Sequence, residues 1–147
     1  MHSVYTMGRR ILMIRTYREL RTFETFLERY EYLRLGAMVG ESTFGFDRYV
    51  NQVFYRSKKW KDVRNRVIIR DDGCDLGIED RKIFDKIVIH HITPITFEQI
   101  ENEDPALFDM DNLICTSHAT HQAIHFGDAS LLPPVPIERF PGDTVLW

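Results

Sequence analysis

The sequence predicts an α+β fold: one compact core, helices toward the N-terminus and an extended, proline-rich C-terminal tail. Three observations carry this. Apolar residues recur at helical spacing in three segments before residue 71. One short β-branched run follows, Lys86 to Ile92. The last 20 residues hold four of the six prolines. A chain of 147 residues accommodates one domain with appended material, and a composition of 44% hydrophobic and 28% charged residues excludes disorder throughout.

The first dozen residues have no period and are assigned no element. Thr22 is placed as the cap of a helix over Phe23 to Leu35, with Phe23, Phe26, Leu27, Tyr30 and Leu33 on one face and Gly36 as its end. Residues 36–45, with three glycines, read as a connection. Phe46, Tyr49, Val50, Val53 and Phe54 then fit a second helical face. Ser57 caps a third helix, Lys58 to Arg70, whose apolar side is Trp60, Val63, Val67 and Ile68 and which ends at Asp71-Asp72-Gly73. The strand over 86–92 is limited by Pro94, with Lys82-Ile83-Phe84 as a candidate partner. Thr96 and Gln99 form a capping box for a brief helix, followed by a surface loop: residues 98–111 carry six carboxylates and no Lys or Arg. After the apolar Leu113-Ile114-Cys115, Thr116 or Ser117 caps a helix from about His118 to Phe126 that Gly127 stops. The tail from Asp128 is expected to drape, extended, over the body.

Bulk properties narrow the class. A formal charge of −3 does not by itself indicate a nucleic-acid partner. Cys74 and Cys115 stand alone, in neither a disulfide framework nor a four-cysteine zinc pattern. Ile11 to Ile14 is too short for a signal peptide or a membrane span, so neither export nor a membrane partner is expected, and a reducing cytoplasmic setting is the default.

Five of the six histidines fall between residues 90 and 125. His121 and His125 are four apart in a helix, so their rings share a face and reach one ion. The bland reading of that pair, two solvent-facing histidines, is equally good for the pair alone. His90 and His91 are adjacent in a strand and point to opposite faces, so both cannot ligate the same ion. One can complete a three-histidine site, and the other, with a pKa near neutrality, can take a proton from water. His118 is a candidate fourth ligand that is left outside the site.

A strand carrying His90-His91, a loop, Asn112-Leu113, and a helix with His121 and His125 nine and thirteen positions beyond the Asn together resemble the HNH endonuclease motif. The likeness to phage-type members extends over roughly residues 55–128, through Ser57-Lys58-Lys59-Trp60, the run from Arg70 to Gly77, His90 to Ile95 and His121 to Gly127. It implies a ββα-metal (His-Me finger) core in a nuclease domain over 56–128, with 1–55 as an N-terminal helical extension and 129–147 as the tail. It further implies DNA phosphodiester hydrolysis, His90 as a metal ligand with His121 and His125, His91 as general base, and Asn112 as the brace of the intervening loop. Paired cysteines for a separate structural zinc, present in many members, are absent here.

Three imidazoles favour Zn²⁺, Ni²⁺ or Co²⁺ over Mg²⁺, whereas the family works with Mg²⁺ or Mn²⁺, so one divalent ion of open identity is expected. Between Arg56 and Arg70 stand seven basic residues against Asp62 alone. Arg56, Lys58, Lys59, Lys61, Arg64 and Arg66 are the candidate phosphate contacts to double-stranded DNA, against the ordinary reading of a solvated helix face. The rival functions are a non-catalytic zinc-stabilised DNA-binding module and a packaging accessory that needs the phage terminase machinery.

Overall fold

The structure, a computed structural model, describes residues 4–7, 10–35 and 48–136. Helices and strands are mixed in an α+β arrangement. An antiparallel hairpin of β1 (Val4–Met7) and β2 (Arg10–Met13) comes first, then α1 (Tyr17–Leu20), α2 (Phe26–Leu33), α3 (Arg48–Arg56) and α4 (Lys58–Arg70). Strand β3 (Ile87–His91) follows, then α5 (Phe97–Glu101), β4 (Leu113–Ser117) and α6 (His118–Phe126).

The element that positions everything else is the β3–β4 pair. It is antiparallel, in a register that sets Ile89 opposite Cys115, His90 opposite Ile114 and His91 opposite Leu113. Directly opposed residues share a face and neighbours along a strand alternate, so the hairpin has two apolar sides. On one side Ile114 and the adjoining Ile92 pack with Ala123 and Ile124 of α6 and with Leu20, Phe26, Tyr30 and Leu33. On the other, Ile89, Leu113 and Cys115 pack with Trp60, Val63 and Val67 of α4 and with Phe54, Ile100 and Leu107. Tyr30 Oη donates to the Ala123 carbonyl (3.3 Å) and Leu35 N–H to the Ile124 carbonyl (2.9 Å), tying α2 to α6.

Helix ends follow local chemistry. Ser57 caps α4, Ser117 caps α6, and Thr96 with Gln99 makes a complete capping box on α5. Gly127 closes α6 in the left-handed region (φ 64°), where its N–H reaches back to the helix carbonyls.

Several expectations are corrected. Residues 4–7 and 10–13, left unassigned above, pair as antiparallel strands. The cap of α2 is Thr25, in a capping box with Glu28, while the Thr22 hydroxyl donates to the Glu19 carbonyl. Leu27 and Val53 are exposed, so they lie off the buried faces assigned to them. The partner of β3 is β4 and not 82–84, because 113–117 offers apolar side chains to both cores, while Lys82 only bridges Cys74. The acidic loop is not merely superficial, since Ile100 and Leu107 are buried. In the tail, 129–131 form a 3-10 turn capped by Asp128, and Leu132 packs on the α6 core. The connection at 36–45, Phe46 and the chain end Val145-Leu146-Trp147 lie outside the described residues. Among the described residues, no helix is long and apolar enough to cross a membrane.

Candidate functional site

The alternation of β3 sends its last two residues in opposite directions. His90 turns toward α6, where its ring meets those of His121 and His125 at centroid distances of 5.3 and 5.2 Å. On α6 the four-residue step brings His121 and His125 onto one edge of the buried stripe formed by Thr120, Ala123 and Ile124. Their Nε2 atoms lie 3.0 Å apart. One ligand nitrogen from each of the three histidines falls within 4.8 Å of the others, making a group that can hold a metal ion. His118, one turn earlier, is exposed and stays outside it.

The chemistry of this donor set fits a cation. Burial holds the His90 pKa well below the usual imidazole value, with His121, His125 and His91 adding to the effect in that order. Burial, then the neighbouring His125, draws His121 down to about 4, and burial lowers His125 as well. All three are therefore neutral near pH 7, the form that ligates without displacing a proton. Buried Nε2 of His90 has no hydrogen-bond partner, a cost that a bound ion would remove. Nitrogens at about 2.0–2.1 Å from a tetrahedral zinc ion stand roughly 3.3 Å apart, close to the His121–His125 separation.

His91 turns the other way, toward α4. Its ring stacks on Trp60 at 5.3 Å and 23°. Its Nε2 lies 3.1 Å from the Leu107 carbonyl. A carbonyl only accepts, so Nε2 carries the hydrogen and Nδ1 is left with the lone pair. Burial pulls the His91 pKa down to about 4, opposed by the bond to Leu107, which corrects the expectation of a value near neutrality: the strand end is enclosed by α4 and the loop and is not open to water.

Asn112 closes the loop between β3 and β4. Its Oδ1 accepts from Thr93 N–H (2.7 Å), and its Nδ2 donates to the carbonyls of Thr93 (3.3 Å) and Ala106 (3.4 Å). Its own carbonyl accepts from Ile92 N–H at 2.8 Å. One side chain thus spans the start of the loop and the residue just before Leu107.

Two buried carboxylates, Asp71 and Asp75, which the sequence marks only as part of a helix end and of the run from Arg70 to Gly77, hold these parts together. Asp75 accepts from Ser117 N–H (3.1 Å), Ser117 Oγ (2.9 Å) and Thr120 Oγ1 (2.5 Å), fixing the start of α6. Burial raises its pKa, and those three bonds counter the rise. Asp71 accepts from Cys115 N–H at 2.9 Å and pairs with Arg70. Both cysteines are free and buried, and burial pushes Cys115 up to about 12.

The basic residues singled out on α3 and α4 differ in their surroundings. Lys59 reaches over the Phe108 ring (4.2 Å to its centroid), while Arg64 donates to the Ile87 carbonyl (3.3 Å) on the opposite flank of the buried stripe. Lys58 pairs with Asp62 at 2.7 Å, and Arg56, Lys61 and Arg66 are exposed. The chain matches no protein-family model, no curated protein and no solved structure.

Proposed function

We propose that this chain is a divalent-metal-dependent endonuclease of the HNH kind, with a ββα-metal core that hydrolyses phosphodiester bonds of double-stranded DNA. The observation that carries the reading is the division at the end of β3: His90 converges with His121 and His125, and His91 is held alone by one backbone carbonyl.

In this reading His90, His121 and His125 hold one ion, of the Zn²⁺, Ni²⁺, Co²⁺, Mn²⁺ or Mg²⁺ class. A bound ion supplies charge neutralisation at a non-bridging phosphate oxygen and at the leaving oxygen. Those three histidines would hold the ion, and among the described residues no fourth ligand joins the group. His91 Nδ1 takes the proton from the attacking water, because Nε2 is committed to Leu107. Attack in line with the 3′ oxygen gives 5′-phosphate and 3′-hydroxyl ends. Asn112 keeps the loop, and with it the Leu107 carbonyl, in register. Arg56, Lys58, Lys59, Lys61, Arg64 and Arg66 supply phosphate contacts around the solvent side of the helix, giving affinity with little sequence preference.

One observation favours a second reading, a non-catalytic zinc-stabilised DNA-binding module: His91 is only 8% exposed. Cleavage of supercoiled plasmid by metal-stripped protein supplied separately with each ion decides between them. The nuclease reading predicts ion-dependent nicked or linear product. DNA retention without cleavage under every ion, with and without terminase components, assigns the binding module instead.

A further inference from the structure

We infer that Arg70, which the proposed mechanism leaves unused, is a positioning residue that fixes the His91 ring through the Asn112 loop; the catalytic half of this inference rests on reading His91 as the base. Arg70 is the last residue of α4, and its side chain is 20% exposed. Its Nη1 donates to the Met110 carbonyl and its Nη2 to the Leu113 carbonyl, each at 2.6 Å. These two carbonyls straddle Asn112. Its Nε and Nη2 also donate to the two oxygens of Asp71 (2.8 and 3.2 Å), and Asp71 in turn accepts from Cys115 N–H. The planar guanidinium lies 3.5 Å over the Tyr17 ring.

The segment around Tyr17 grips the same loop from outside. Arg15 N–H donates to Thr93 Oγ1 (3.0 Å), Thr93 Oγ1 donates to the Arg15 carbonyl (2.8 Å), and Arg18 N–H donates to Asp111 Oδ1 (3.0 Å). Thr93 and Asp111 are thereby tied to residues 15–18, and Met110 and Leu113 to the end of α4. Asn112, held between them, grips Ala106, and the next carbonyl in the chain, that of Leu107, holds His91. Among the described residues, Arg70 is the one side chain whose hydrogen bonds join the two flanks of Asn112 to a helix end. A lysine would present a single ammonium, which cannot span two carbonyls, chelate Asp71 and lie flat on Tyr17 together.

The test uses the full chain as wild type, Arg70→Lys and Arg70→Gln. Side-chain ¹⁵N NMR of the histidines reports the His91 tautomer, zinc titration reports the three-histidine group, and DNA cleavage gives kcat and KM. Arg70→Lys keeps a cation beside the buried Asp71 carboxylate, so the experiment survives if Arg70→Gln fails to fold. We expect the single Nε2–H tautomer of wild type to give way to exchange between tautomers in the variants. We also expect kcat to fall about 10–100-fold, as for the loss of a residue that orients a functional side chain, with KM and zinc affinity unchanged. A His91 signal unchanged in both variants overturns the inference, whether or not DNA is cut. A signal that changes while wild type cuts nothing with any ion upholds the positioning role and retires the nuclease reading alone.

Discussion

The two faces of the β3–β4 hairpin share one register and one pair of adjacent histidines, yet they give those histidines different surroundings. Toward α6, His90 stands among rings whose nitrogen atoms converge, and its Nε2 has no protein partner. Toward α4, His91 is sandwiched against Trp60 and bonded by Leu107. Both are kept neutral by burial, so charge does not separate them. Partners do: a convergent set of lone pairs suits a cation, and a single ring oriented by one acceptor suits proton transfer. Strand alternation alone converts neighbours in sequence into groups with different chemistry.

The largest effects should come from breaking one face at a time. His91→Ala is expected to slow cleavage by about 10²–10⁴-fold with metal affinity intact, whereas His121→Ala or His125→Ala should lose both; metal titration and single-turnover cleavage on the same preparations check this. Next comes the loop shared by the faces. Asn112→Ala frees Thr93 and Ala106, and a loss of about 10–100-fold in kcat is expected, with the metal site unaffected.

Acid should act on both faces of the metal-free protein. His91 and His121 titrate at about 4 when folded, against 6.5 for an ordinary imidazole. The unfolded chain therefore binds protons first as pH falls. Stability is full above pH 6.5 and declines as the pH drops toward about 4, with His91 alone contributing on the order of 3 kcal/mol. Denaturant melts at pH 7 and pH 4.5 on wild type and His91→Phe measure this, and the variant should show the shallower decline. The smallest effect is confined to the α6 side. Asp75→Asn weakens the bonds from Ser117 and Thr120 and should cost about 2 kcal/mol by urea melt, without moving the His91 tautomer.

What was legible in the sequence was what local chemistry decides. Ser57, Thr96, Ser117 and Gly127 mark helix ends by side chain or by permitted backbone angle, and α4 and α6 run between such markers. The His121–His125 pair was visible because four residues make about one turn. The partner of β3 was not, because pairing across residues 92–112 is decided by which segment fills both cores, and Lys82-Ile83-Phe84 looked as suitable locally. The cap is placed at Thr22 from the sequence, although Thr25, three residues before Glu28, has the capping-box spacing that the helix uses. Asp71 and Asp75 carry no local sign of burial, since their partners Cys115, Ser117 and Thr120 lie more than 40 positions away. The Leu107 carbonyl that orients His91 has no sequence signature at all, because every residue has a carbonyl.

The most direct test of the division between the two faces is zinc affinity, measured by competition with a chromophoric chelator, for wild type, His90→Ala and His91→Ala. His90→Ala is expected to lose the tight site, and His91→Ala to bind as wild type does. Equal weakening in the two variants would contradict it, placing both histidines in one ligand set and removing His91 from the role of base.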